Sequence, residues 1–287
     1  MVAVECCASS RQILCRLSFV LCPRCPETRN QKPETSKLEM KYDFCLSLGG
    51  SCAAAIQLRR RGKRTAALPF DWLMTHEVRS FDCQVQVVCG EHEWLERGNV
   101  KRITPPYQGP GLGPFQYRDE GTGFEFLHDF HGDIGEQPHL YNDVVAIYRR
   151  RFDRLRTWLA NAGKVLLVLD SPLKFSNERL EELRSLWAAR FPNVEFDLFA
   201  VLYSQDVEER YDEGHLIVCR LRRTKHVYDN EATAPVWDFL DGVTLSGRMG
   251  HESNMAPPIP LFYRLVRLVF LASRKILRRA GYAASME

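Results

Sequence analysis

Apolar residues recur along the middle of the chain with two alternating periods, and those periods predict a layered arrangement of helices and strands from about residue 41 onward. Over 142–160, Val144, Ile147, Phe152, Leu155, Trp158 and Leu159 fall on one face at helical spacing. Gly163 ends that helix, and Lys164-Val165-Leu166-Leu167-Val168-Leu169-Asp170 follows as a nearly unbroken apolar run. Such a run is expected of a strand covered on both faces, as in a parallel sheet. A second predicted helix, 176–190, leads past Pro192 to another apolar run at 194–203. Strand, helix, strand in that order is a crossover unit, so the predicted class is α/β: a mostly parallel sheet flanked by helices. Further strands are predicted at 43–48, 123–128 and 215–221, and further helices at 52–61, 78–90 and 260–279. The segment Val100 to Thr122, rich in glycine and proline, reads as a long loop of the kind used for binding.

The first of these units carries the strongest chemical signal. Phe44-Cys45-Leu46-Ser47-Leu48 is a short apolar strand, Gly49-Gly50 a turn, and Ser51-Cys52 the entry to a helix that begins Ala53-Ala54-Ala55. Paired glycines allow a sharp turn and a close approach of backbone to whatever lies against it. The first amides of a helix lack intrahelical partners and carry partial positive charge, which stabilises a thiolate held there. Cys52 is therefore the candidate nucleophile, against the plainer reading of a buried cysteine at an ordinary strand-to-helix turn.

Several later segments continue the pattern: Gln57-Leu58-Arg59-Arg60, Pro69-Phe70-Asp71-Trp72, His128-Asp129-Phe130 and Tyr148-Arg149-Arg150-Arg151. In this order, over roughly Tyr42 to Tyr203, the series resembles a bacterial family of unknown function described as papain-like cysteine peptidases. The family pattern has Gly-Ser-Asn-Cys where this chain has Gly49-Gly50-Ser51-Cys52, so Ser51 stands in place of an asparagine amide. The resemblance implies a cysteine peptidase, a thiol protease, and a papain-like α+β fold. The periodicity favours α/β.

On a cysteine-hydrolase reading, Cys52 attacks an amide or ester and His128, ending a predicted strand, takes its proton. A third group should orient the imidazole. Asp129 is adjacent in sequence, but neighbours on a strand face opposite ways. Asp170, at the end of the next apolar strand, and Asp71, in the Pro-Phe-Asp-Trp segment, are the remaining candidates. The Cys52 amide with Ser51 or Gln57 would supply oxyanion donors. Each has a structural alternative: a hydrogen-bonded framework histidine, a packed turn at Asp71, a solvated arginine face at 149–151.

Composition narrows the setting. The chain has 287 residues, enough for one large domain or two small ones, with 45% hydrophobic and 26% charged residues as in globular proteins. Of ten cysteines, five lie in the first 40 residues; the other five (Cys45, Cys52, Cys83, Cys89, Cys219) are dispersed, which fits a reducing cytoplasm better than a disulfide framework. Residues 1–39 read as an extension outside the fold, with Met40 directly before the first strand as the expected start. The expected organisation is this extension, an α/β domain at 40–250, and a linker with a basic helix at 251–287. From Leu261 to Ala280 there are six basic residues and no acid, so the body is net acidic although the chain is +3 overall. That argues against nucleic acid as a partner of the whole surface. It leaves the basic helix either docked on the body or lying on an anionic membrane surface.

The expected partner is a small-molecule or peptide substrate, with no cofactor and no metal. Three other classes stay open. His128-Asp129-Phe130-His131-Gly132-Asp133, with His139, offers imidazole and carboxylate ligands for a metal. Ser47 or Ser51 at the strand end could serve a serine hydrolase. A non-enzymatic envelope or assembly role would leave the motifs to maintain the fold.

Overall fold

In the computed structural model, residues 40–108, 112–206, 208–222, 235–247 and 249 are described. The N-terminal extension and the basic C-terminal helix expected at 260–279 lie outside them. The chain runs β1 (Met40–Tyr42), β2 (Phe44–Ser47), α1 (Ala53–Arg60), β3 (Leu73–Met74), α2 (Val78–Cys89), β4 (Val100–Arg102), β5 (Tyr117–Asp119) and β6 (Glu125–Phe126). It continues through α3 (Pro138–Asn161), β7 (Lys164–Ser171), α4 (Asn177–Arg190), β8 (Glu195–Gln205), β9 (Glu209–Asp212), β10 (Leu216–Arg222), a 3-10 turn (Asp238–Gly242) and β11 (Val243–Leu245).

The central sheet has the order β2-β7-β8-β10-β9, and every neighbouring pair in it is parallel except β10 with β9 at the edge. The fold is therefore α/β, as the periodicity predicts. The apolar run at Val165–Leu169 is fully buried because β7 sits between β2 and β8 with helices on both sides. Alternate side chains divide the core into two layers. Phe44, Leu46, Leu48, Leu167 and Leu169 face α2, α3 and α4, meeting Phe81, Val85, Phe152, Leu155, Leu183 and Trp187. Cys45, Leu166, Val168, Phe199 and Val201 face the other way, meeting Ala54 and Leu58 of α1 together with Trp237 and Leu240. α1 thus covers one face of the sheet and α2 to α4 the opposite face.

Local signals bound the helices as their chemistry requires. The Ser176 hydroxyl accepts from the Arg179 amide at 3.2 Å and caps α4. Gly90, at φ +75°, closes α2 in the left-handed conformation that residues with a side chain adopt with difficulty.

The segment read as a long loop contains two strands. β4 and β5 pair antiparallel, β5 pairs with β6, and β6 with β3, giving a second, four-stranded sheet in the order β3-β6-β5-β4. Strands of two or three residues bury too few side chains to print an alternating pattern on the sequence. A parallel bridge between Gly50 and Met74 joins this sheet to the strand side of the central one.

Phe70 ties the Pro-Phe-Asp-Trp segment to the core. It is fully buried and packs edge-to-face with Phe124 (6.0 Å between centroids), Phe152 (5.7 Å) and Trp187 (6.5 Å). Phe70→Ala is expected to lower the unfolding free energy by about 3–5 kcal/mol in urea titration; a loss below about 1 kcal/mol would show that the segment is not part of the core.

Candidate active site

The site begins where β2 runs out. The Leu48 amide still donates to the Val168 carbonyl at 2.9 Å, holding the chain against β7. Gly49 and Gly50 then turn with φ +73° and +95°. A Cβ on Gly50 would lie 1.8 Å from the Asp170 carbonyl oxygen, and one on Gly49 would lie 2.9 Å from the Leu73 carbonyl oxygen. Both the conformation and the space demand glycine here. The turn is pressed between the end of β7 and the Phe70–Leu73 turn, so three motifs distant in sequence share one contact.

Beyond the glycines, Ser51 and Cys52 lead into α1, with Cys52 at the N-cap position. Asp170 holds this entry. Its carboxylate accepts from the Ser51 hydroxyl and, at 3.0 Å, from the Ala54 amide; the Ser51 hydroxyl oxygen accepts from the Ala53 amide at 3.1 Å. Asp170 is completely buried, and burial pushes its carboxyl up to about 7, against the opposing pull of the Ser51 and Ala54 hydrogen bonds. Asp170 therefore braces the helix that carries Cys52. Cys52 itself is half-buried and in no disulfide. Ser47 is fully buried, its hydroxyl accepting from the Gly49 amide at 3.3 Å, so neither nearby serine is presented to solvent.

Gln57 is buried in α1 and its side-chain oxygen accepts from Arg61, which reaches Asp238 at 3.2 Å and Asp241 at 3.1 Å in the 3-10 turn. Asp71 is also buried. It accepts from the Arg64 guanidinium and the Leu68 amide, each at 2.8 Å. Burial raises its carboxyl from the ordinary range, with Arg64 opposing. Arg64 in turn lies 5.5 Å over the Trp72 ring, and the His128 ring meets Trp72 edge-on at 6.4 Å. Asp129 accepts from the Tyr148 hydroxyl at 3.1 Å and has Arg151 at 3.9 Å; burial again raises its carboxyl. The Pro-Phe-Asp-Trp, His-Asp-Phe and Tyr-x-x-Arg segments thus converge on one network of aromatic and charged groups.

A second histidine, passed over in the sequence, follows β3, the strand that Gly50 bridges at Met74. His76 Nε2 lies 3.1 Å from Oε2 of Glu125, which is fully buried. The other carboxylate oxygen accepts from Arg118 Nε at 2.8 Å and from the Tyr107 hydroxyl at 3.2 Å, and the His76 and Tyr107 rings are 5.5 Å apart. Burial alone would push Glu125 up, but the contacts with His76 and Arg118 outweigh it, and the carboxyl is held below its ordinary value. Glu125 lies in the segment that leads to His128, but nothing singled out its contact with Arg118 and His76, because Glu125 and Arg118 meet only through the pairing of β5 with β6. Among the described residues, no three His, Cys, Asp or Glu side chains converge to hold a metal ion.

Comparison with known proteins agrees with part of this picture. A family model described as "Putative papain-like cysteine peptidase (DUF1796)" matches residues 43–83, a span that takes in the glycine turn, Cys52, Asp71 and His76. An uncharacterised protein of Acanthamoeba polyphaga mimivirus is 29% identical over 161 residues, covering 52% of this chain and 71% of that protein. That relative is viral, so the bacterial distribution implied by the resemblance gains no support from it. No solved structure matches the chain.

The raised Asp170 carboxyl has a definite consequence for stability. The folded state prefers the protonated form, so its contribution is full below about pH 4, the unfolded value, and is lost as pH rises toward 7. Asp170→Asn keeps the shape and cannot ionise. Relative to wild type, the variant should gain on the order of 3 kcal/mol in unfolding free energy between pH 4.5 and 7.5. Parallel stability-against-pH curves for the two proteins would contradict a buried, raised carboxyl.

Proposed function

We propose that this chain is a cysteine-nucleophile hydrolase or acyl-transfer enzyme acting on an amide or ester of a peptide or small molecule, with Cys52 as the attacking group. The observation that carries the reading is the setting of Cys52: a half-buried thiol at the N-cap of α1, on a turn whose backbone is locked by two obligatory glycines and braced from below by Asp170. A nucleophile needs that combination of access and fixed position, since a displacement of about 1 Å can cost about 100-fold in rate. The family model supports the reading at the level of a cysteine peptidase-like protein, because its matched span includes this turn.

In the proposed reaction the Cys52 thiolate adds to the carbonyl carbon, the leaving amine or alcohol departs with a proton, and water or another acceptor resolves the thioester. Ser51 and Asp170 already use the Ala53 and Ala54 amides, so they serve the nucleophile by holding α1 rather than by opening its amides to an oxyanion. The buried and hydrogen-bonded Ser47 and Ser51 hydroxyls favour the thiol over a serine as nucleophile.

The test is acylation of the whole chain by p-nitrophenyl acetate at pH 6, resolved by peptide mass spectrometry. Cys89, exposed on the same molecule, is the internal standard. Acetyl-thioester at Cys52 is expected to form at least about 100-fold faster than at Cys89, where burial and Glu91 hold the thiol above its ordinary value, and faster than at a free-cysteine peptide run alongside. Labelling of Cys52 no faster than Cys89 would defeat the proposal.

A further inference from the structure

Strand directions decide which histidine shares an edge with Cys52. Gly50 and Met74 are bridged in parallel, so β3 runs the same way as β2 and its C-terminal end, leading to His76, lies beside the turn that leads to Cys52. β6 pairs antiparallel with β3, Leu73 opposite Phe126 and Met74 opposite Glu125. The chain leaving β6 toward His128 runs back past the N-terminal end of β3, where the His128 ring meets Trp72.

Side-chain alternation agrees. Leu73, Phe126 and Tyr117 belong to the core layer that faces α2, α3 and α4. Their neighbours Met74, Glu125 and Arg118 consequently lie on the opposite face of the second sheet. His76, two residues past Met74, reaches Glu125 on that face. Glu125 is fully buried and ion-paired, and its Oε2 has no hydrogen-bond partner beyond the His76 imidazole it faces. A buried carboxylate is costly unless it is put to use or paired, and here one oxygen is paired with Arg118 while the other is kept for an imidazole.

We infer that His76, oriented by Glu125, is the base that serves Cys52. The assignment rests on the cysteine-nucleophile reading and replaces His128 in the role that motif order suggests for it. With Nε2 turned to Glu125, Nδ1 is the nitrogen left to accept the thiol proton. His76 takes that proton as the sulfur–carbon bond forms, and returns it to the departing amine or alcohol as the carbon–heteroatom bond breaks. Water then gives a proton to the same nitrogen while its oxygen attacks the thioester, and the proton passes back to the leaving thiolate. Glu125 is a positioning residue: it fixes the imidazole tautomer and stabilises the imidazolium formed in each half. Among the described residues, the charged or titratable groups that meet the His76 imidazole or its carboxylate include Glu125 from β6, Arg118 from β5 and Tyr107 from the segment between β4 and β5, with Glu77 next in the chain and Cys52 beyond the Gly50–Met74 bridge.

The experiment follows iodoacetamide alkylation of Cys52 from pH 5 to 9 by peptide mass spectrometry in the full chain, comparing wild type with His76→Gln, Glu125→Gln and His128→Gln. An unassisted thiol titrates near about 8.5 and is about one part in 300 thiolate at pH 6. His76→Gln is expected to slow alkylation at pH 6 by about 100-fold and to move the profile up to the ordinary thiol range. Glu125→Gln should shift it partway, and His128→Gln should leave it unchanged. His76 is 39% exposed, so its replacement leaves the core alone, and thermal melting of each variant confirms that. A profile unchanged in His76→Gln but lost in His128→Gln would overturn the assignment while leaving the Cys52 nucleophile in place. A wild-type profile that already follows an ordinary thiol would remove both.

Discussion

The approach of the Gly50 backbone to the end of β7 is the constraint on which the arrangement depends. A single methyl at Gly50 would stand 1.8 Å from the Asp170 carbonyl oxygen, so the turn exists only because no side chain is there. From this contact follow the entry of α1 over the sheet, the burial of the Asp170 carboxyl against the Ser51 and Ala54 groups, and the bridge to Met74 that attaches the second sheet. Cys52 inherits its position from that packing.

Burying Asp170 under the first turn of α1 has two opposed effects. The helix amides favour its charged form, and desolvation favours the neutral one; desolvation wins, raising the carboxyl to about 7. The protein thereby carries a titrating group near neutrality directly beneath the candidate nucleophile. Such placements are common at sites of chemistry, where stability is given up for a fixed arrangement. The aromatic and charged network of Arg64, Asp71, Trp72, His128, Asp129, Tyr148 and Arg151 does different work. It joins α3 to the Pro-Phe-Asp-Trp turn through paired charges and ring contacts, and its acids are satisfied by guanidinium and hydroxyl donors. That packing brings motifs distant in sequence into one network.

Much of the fold was legible. The predicted strand 164–170 is observed at 164–171, the predicted helix 176–190 at 177–190, and the predicted helix 78–90 at 78–89, because each carries a long apolar stripe or a clear terminator. The four-stranded second sheet was not legible. Its strands are two or three residues long, and β3 owes its pairing to a partner more than 50 residues away, Leu73 with Phe126. Of the candidate site, Cys52 and the glycine turn could be read from local chemistry alone.

The sequence by itself determined the α/β class, the place of the glycine turn and the cysteine at the mouth of a helix, since each depends on short-range backbone preference and periodicity. The tertiary structure decided the partners of the acids and histidines. Asp170 became a brace and Asp71 an arginine partner because burial and the nearest donor, rather than residue type, set what a carboxylate does. His76 acquired Glu125, and His128 acquired Trp72, through the directions of β3 and β6. Strand direction is a property of long-range pairing, and no local pattern of residues records it.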